Sequence, residues 1–194
     1  MNLLHTKIVL ASNSPQRAAI LKDHGFEYKI CPANILEKIN PAENPKKNAE
    51  RIAREKAAVV FQKDKKSLVL AADTIGVSAT GEILIKAKSE KDAEKMIRNR
   101  AGKTEKVITG WAIFSPLGKV SGAEISEVFF KNIDDDFVKS FLKSGEWRGV
   151  AGALRVEGKI SQKMIAGFSG HFSNILGLPI EKIIDVLRDF PKKN

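Results

Sequence analysis

The chain has 194 residues, 43% of them hydrophobic, and a formal net charge of +10, which predicts one domain over residues 1–194 with a sizeable core rather than a disordered chain. No apolar run approaches the roughly 20 residues of a membrane span, and the amino terminus lacks a secretory pattern. The one cysteine fits a reducing cytosol. We therefore expect a cytoplasmic protein without a membrane partner. The basic residues are spread over several predicted helices with few aromatic residues between them, which favours a phosphate-bearing small molecule over nucleic acid as the partner.

The chain begins with a predicted short buried strand over residues 7–11, followed by a helix over residues 15–25. Ser14 is the predicted N-cap of this helix, and a proline takes the first helical position. The polar residues before the helix can simply cap it. Alternatively, Ser12, Ser14 and Arg17 can form a cradle for an anion, because the first-turn N–H groups of a helix lack partners and its dipole favours negative charge.

A second strand over residues 26–31 and a loop lead into a predicted long helix over residues 45–64. Lys56 lies at the centre of the apolar stripe of this helix, four residues from both Ile52 and Val60. An inward lysine is costly unless its ammonium meets an anion or reaches water. Two interpretations therefore stay open, in which Lys56 either extends to the surface or enters a polar cleft.

Polar residues follow two of the next predicted strands. A buried strand over residues 67–73 is expected to end at Asp73, and Lys86 follows a strand over residues 82–85. The carboxyl ends of strands are where α/β sheets bind ligands, although an aspartate there can also cap its own turn. Glu37 lies in the loop after the second strand and is unremarkable by itself.

The second half of the chain is predicted to contain longer strands. Its elements are a helix from Ser89 to about Gly102, strands over residues 106–114 and 119–131, a helix from Asp134 to Gly145, a strand over residues 160–166 and a last helix from about Pro179. Alternating strands and helices followed by hairpins predict an α/β fold with a mixed twisted sheet flanked by helices.

The polar residues that stand out indicate one kind of chemistry. No histidine has metal-ligand spacing, and no Walker, nucleophile-elbow or zinc-protease motif is present. Two carboxylates, two lysines, an arginine and a helix start suit a polyphosphate and a divalent cation. The members of this set are Ser12, Ser14, Arg17, Glu37, Lys56, Asp73 and Lys86.

Six segments in order carry a family resemblance: "LASNSPQR" (10–17), "AREKA" (53–57), "AADT" (71–74), "EILIKAK" (82–88), "GEWRGVAGALRVEG" (145–158) and "SNILGLPI" (173–180). Over most of its length the chain resembles the Maf family of nucleoside triphosphate pyrophosphatases. The fold of that family is similar to that of the inosine triphosphatases, so an inosine-triphosphatase/Maf-like sheet is expected here.

The resemblance implies hydrolysis of a nucleoside triphosphate to the monophosphate and pyrophosphate with Mg²⁺ or Mn²⁺. It implies that Asp73 accepts a proton, that Glu37 and Asp73 hold the metal, and that Lys56 and Lys86 offset negative charge. Ser12, Ser14 and Arg17 would bind phosphates. The family often forms homodimers, and a homodimer is the expected assembly.

The resemblance also implies that Gln16, Thr74 and Glu157 select the base, but this trio matches neither the thymidine- and uridine-triphosphate branch nor the 7-methylguanosine-triphosphate branch. A glutamate accepts hydrogen bonds and cannot donate them, so Glu157 favours a guanine-like edge. The base preference stays open.

Three departures from the family's motifs lie beside the proposed site: Leu36 before the acidic residue, and Ile85 and Ala87 around the lysine. Because of these departures a second hypothesis stays open, in which the protein has the same fold but is a non-catalytic nucleotide-binding regulator of cell division.

Overall fold

The structure, a computed structural model, describes residues 7–189. Its strands are β1 (Ile8–Leu10), β2 (Tyr28–Ile30), β3 (Leu68–Val77), β4 (Thr104–Ser115), β5 (Gly118–Phe130) and β6 (Ile165–Ser169). Its helices are α1 (Pro15–Asp23), α2 (Pro45–Lys63), α3 (Glu90–Arg100), α4 (Asp135–Ser144), α5 (Phe172–Ile175) and α6 (Ile180–Asp189). Within these residues no helix is both long and apolar enough to cross a membrane.

The strands form a six-stranded sheet in the order β2-β1-β3-β4-β5-β6. β1 pairs in parallel with both β2 and β3, and Leu10 lies level with Ile30 on one side and Leu70 on the other. β5 and β6 pair antiparallel. The predicted mixed α/β sheet is therefore confirmed.

The described chain divides into two compact units. Residues 7–74, 108–124 and 171–189 form the first unit, and residues 75–107 and 125–170 form the second.

The core of the first unit has two faces, which follow from the period-two alternation of its strands. On β3, Leu70 and Ala72 pack into the cluster that includes residues of α1 and α6. Val69 and Ala71 point the other way and pack into the cluster that includes residues of α2. Helices thus cover both faces of the parallel strands, as buried parallel sheets require.

Gly110 of β4 allows α2 to approach the sheet closely. A Cβ built at this position would lie 2.1 Å from the backbone carbonyl carbon of Ala49 in α2. No other residue leaves room for this contact, so the glycine sets the distance between helix and strand in the first unit.

The second unit contains a buried ion pair at the end of α3. The guanidinium of Arg100 lies 3.1 Å from the carboxylate of Glu105 and packs over the ring of Phe130. Arg98 connects α3 to α4 through Asp135 at 2.8 Å.

The structure corrects two predicted boundaries in the middle of the chain. β3 does not end at Asp73 but continues to Val77, because the alternation of buried residues persists through Ile75. The strand expected over residues 82–85 does not form, and this hairpin makes only an isolated bridge between Val77 and Ile83.

The strand expected over residues 160–166 begins only at Ile165. The carboxylate of Glu146 accepts hydrogen bonds from the backbone N–H groups of Ile160 and Ser161, which turns this stretch into a 3₁₀ helix over Ser161–Met164. The short helix α5 was not predicted. The caps at Ser14, Ser89 and Asp134 are confirmed.

Candidate active site

A cavity of about 430 Å³ in the first unit lies where the parallel strands β1 and β2 end. Its wall includes seven of the residues that the sequence singled out: Ser12, Ser14, Arg17, Glu37, Lys56, Asp73 and Thr74. Asp73 is interior to β3, but it lies beyond the level of Leu10, at which β1 ends. This stagger leaves the flank of β3 open to the cavity.

The start of α1 forms one wall of the cavity. The hydroxyl of Ser14 accepts a hydrogen bond from the backbone N–H of Arg17, and the hydroxyl of Ser12 accepts one from the N–H of Ser14. The amide oxygen of Gln16 in turn accepts from the Ser14 hydroxyl. The cap is therefore present, and Ser12, Ser14 and Arg17 also line the cavity, so capping and anion binding are compatible here.

Arg17 is held by three hydrogen bonds to three separate segments. Its Nε donates to the carbonyl of Gly177 at 2.8 Å, Nη1 donates to Ser12 Oγ at 3.0 Å, and Nη2 donates to Thr74 Oγ1 at 3.1 Å. Burial lowers the pKa of Arg17, while the charges of Asp73 and Glu37 act in the opposite direction. An arginine stays charged in proteins, so the cavity contains a fixed cation.

Lys56 of α2 is 7% exposed, and its ammonium lies between two carboxylates. The Nζ atom is 2.7 Å from Asp73 Oδ1 and 2.8 Å from Glu37 Oε1. Lys56 does not extend to the surface, which rejects one of the two interpretations of its position on the apolar stripe. Its ammonium enters the cavity instead.

The pKa values of Asp73 and Glu37 are shifted in opposite directions. Burial raises the pKa of Asp73 above its ordinary value, against the lowering effect of Lys56, and the charge of Glu37 adds to the rise. Burial also acts to raise the pKa of Glu37, but the hydrogen bond and charge of Lys56 outweigh it, so that pKa lies below its ordinary value. A pair of groups separated in this way suits one proton acceptor and one permanent anion.

Gln16 is not among the described residues that line this cavity, and two further predicted site residues belong to the second unit. Lys86 is exposed, and its backbone bridges to Ala151. Its side chain borders a cavity of about 770 Å³ that is also lined by Lys103 and Arg100. Glu157 is exposed, and its Oε1 lies 4.0 Å from Nη1 of Arg155.

Two residues of the first unit were not predicted. Asn34 lines the cavity with φ at +50°, in the left-handed region that asparagine adopts more readily than other non-glycine residues. Thr109 of β4 is buried, and its hydroxyl is 3.0 Å from that of Thr74. A threonine inside a strand is a common strand former, so no sequence signal marks Thr109.

The fold and the cavity define an α/β protein with a charged ligand cleft at the carboxyl ends of its parallel strands. The chain belongs to the Maf-like protein family, whose model matches residues 7–190. This membership confirms the resemblance seen in the sequence.

Its relatives cover nearly the whole chain. The protein is 36% identical over 181 residues to a dTTP/UTP pyrophosphatase of Pyrococcus abyssi, which covers 93% of this chain and 95% of the relative. It is 34% identical over 183 residues to one of Aquifex aeolicus, covering 94% and 95%. The Staphylococcus aureus Ham1 protein structure is similar at 18% identity and a TM-score of 0.42, over 66% of this chain and 73% of that one.

Proposed function

We propose that the protein is a nucleoside triphosphate pyrophosphatase, which hydrolyses its substrate to the monophosphate and pyrophosphate. The observation that carries the proposal is the buried ammonium of Lys56 between the carboxylates of Glu37 and Asp73, in a cavity that also contains Arg17. Family membership and relatives named as pyrophosphatases support it. They do not favour the non-catalytic regulator of cell division.

The start of α1 and Arg17 would bind the phosphate chain. Ser12, Ser14 and Arg17 line the cavity at the positive end of the helix dipole. Arg17 would add a rigid guanidinium, which matches the geometry of phosphate oxygens. Positioning and charge neutralisation supply most of the catalysis of phosphoryl-group chemistry.

Asp73 would orient the attacking water and accept its proton. The oxygen of this water attacks the α-phosphorus, the bond from that phosphorus to the bridging oxygen breaks, and pyrophosphate leaves. Lys56, whose Nζ contacts Asp73, would offset the charge of the leaving group. Lys86 is proposed for the same role on the basis of its motif, "EILIKAK".

The donor set of the cavity fits Mg²⁺ or Mn²⁺. Residues 7–189 contain no cluster of three or more His, Cys, Asp or Glu side chains that could hold a metal by themselves. Magnesium is usually bound by one or two carboxylates together with substrate phosphates, and Glu37 and Asp73 would supply those carboxylates. When bound, such a cation neutralises phosphate charge.

Two classes of base are candidates. The names of the relatives favour dTTP and UTP, and we propose these as the preferred substrates. Glu157 favours a guanine-like edge instead, because a carboxylate accepts from adjacent N–H donors.

We also propose that the protein is cytoplasmic and forms a homodimer, and light scattering of the purified protein tests the dimer.

A triphosphate panel tests the function. Purified protein is incubated with dTTP, UTP, GTP and 7-methyl-GTP in Mg²⁺, in Mn²⁺ and in excess EDTA, and pyrophosphate release is measured. We expect release with dTTP and UTP that stops in EDTA. A higher kcat/KM for 7-methyl-GTP would overturn the base assignment, and nucleotide binding without any pyrophosphate release would overturn the enzymatic assignment.

A further inference from the structure

A chain of hydroxyl groups runs from the cavity into the core of the first unit. Thr109 of β4 is 0% exposed, and its Oγ1 donates to the backbone carbonyl of Asn174 at 2.9 Å. The same oxygen is 3.0 Å from Thr74 Oγ1, which is 3.1 Å from Nη2 of Arg17. These contacts join four segments that are distant in sequence.

The proton count fixes the direction of this chain. A hydroxyl group has one proton to donate, and Thr109 gives its proton to the carbonyl of Asn174, which can only accept. In the contact between the two threonines, the donor must therefore be Thr74. Arginine has no acceptor, so Thr74 Oγ1 accepts from Arg17 while it donates to Thr109.

The segment at the inner end of the chain also binds Arg17 directly. The carbonyl of Gly177, three residues after Asn174, accepts from Nε of Arg17 at 2.8 Å. Gly177 has φ at +100°, and a Cβ there would lie 3.0 Å from Thr74 Oγ1. One segment thus contacts both ends of the hydrogen-bond chain, and a side chain at Gly177 would crowd Thr74.

We propose that Thr109 is a positioning residue for Arg17. By accepting the Thr74 proton, Thr109 directs that O–H away from Arg17 and leaves a lone pair of Thr74 Oγ1 facing Nη2. This holds the guanidinium plane against the phosphate-binding wall. The inference rests on the proposed function. It also restricts Thr74: because its proton is already used, any substrate group that reaches Thr74 Oγ1 must donate to it.

A double-mutant cycle tests this coupling. Thr109→Val removes the hydroxyl at nearly constant shape, and we expect kcat/KM for dTTP to fall by about tenfold, the effect of one buried hydrogen bond. Thr109→Ser retains the hydroxyl and should stay within about twofold of wild type. In an Arg17→Lys background, Thr109→Val should change kcat/KM by less than about twofold, because the guanidinium that it positions is gone.

Ser115→Ala is the matched control, since it deletes another buried hydroxyl of β4 that is bonded to the N–H of Leu117. It should leave kcat/KM unchanged. If Thr109→Val does not fold, Thr109→Ala deletes the same hydroxyl and replaces it in the cycle.

Three results would overturn the inference while the wild type is active: unchanged kcat/KM in Thr109→Val, no rescue by serine, or the same loss from Thr109→Val in the wild-type and Arg17→Lys backgrounds. A wild-type protein that releases no pyrophosphate from any triphosphate would overturn the proposed function, and this inference with it.

Discussion

The ammonium of Lys56 and the carboxylate of Asp73 form a 2.7 Å ion pair in which each side chain is only 8% exposed. Burying two charges is tolerated when they are paired and hydrogen-bonded, but removal of either partner leaves an uncompensated charge. Glu37 is a second carboxylate on the same ammonium. The two carboxylates therefore share one ammonium, and the charge of Arg17 acts on both of them.

Asp73→Asn should abolish most turnover while the protein still folds. The substitution keeps the shape but removes the proton acceptor, and loss of one such group commonly costs on the order of 10²–10³ in kcat. Pyrophosphate release measures the loss, and circular dichroism checks the fold. Asp23→Asn, at an exposed position of α1, is the control and should retain full activity. Full activity in Asp73→Asn would remove Asp73 from the mechanism.

Substitution of Glu37 and substitution of Lys56 should shift the acid limb of the kcat/KM pH profile in opposite directions. The raised pKa of Asp73 places the acid limb above the ordinary aspartate value of about 3.9. Glu37→Gln removes a charge that raises this pKa, so the limb should move to lower pH. Lys56→Met removes the charge that lowers it, so the limb should move to higher pH. The exposed Glu55→Gln is the control, and limbs that shift in the same direction would contradict the coupling.

Lys56→Met should destabilise the fold in a pH-dependent way. At pH 7 the lost partner of a buried ion pair costs about 3–5 kcal/mol. Without the ammonium the folded-state pKa of Asp73 rises further above its unfolded value, so as pH falls the native state binds a proton that the unfolded state does not. The free-energy penalty therefore shrinks towards acid pH.

Urea unfolding at pH 7 and pH 5 measures this change. Lys47→Met, at an exposed position of the same helix, is the matched control and should stay within about 0.5 kcal/mol of wild type. A penalty for Lys56→Met that is equal at both pH values would show that Asp73 does not carry the buried charge.

Lys86→Met tests the motif-based role of the lysine in the second unit. Lys86 is exposed, so its removal should not change the melting temperature, and we expect kcat to fall by about 10² if its charge acts on the leaving group. Lys88→Met is the natural control, because Lys88 is exposed two residues away. Equal activity of the two variants would exclude a special role for Lys86.

The helix periodicity predicted that Lys56 faces inward, because its position depends only on local geometry. The sequence could not decide between the surface and the cavity, since that choice depends on carboxylates from a loop and a strand far along the chain. Asp73 was expected to end its strand, because aspartate is rare in strands. A ligand cavity overrides that propensity, and the alternation through Ile75 and Val77 was the better guide.

Sequence patterns could not predict the hydrogen-bond partners of Arg17. Its contact with Gly177 spans 160 positions, and Thr109 is a typical strand residue. A hydrogen bond between distant segments depends on sheet order and register, which local propensity does not encode. The family motifs did include Arg17 and Thr74, but not the bond that joins them.

Asp73 and Thr74 are neighbours on β3, yet one faces α2 and Lys56 while the other faces Arg17 of α1. Strand alternation alone produces this division. Deletion of one residue within Leu68–Ala72 would slip the register and exchange the two faces, so that both networks would fail together. The site is therefore compatible with substitutions in this strand, but not with the insertion or deletion of a single residue in its first half.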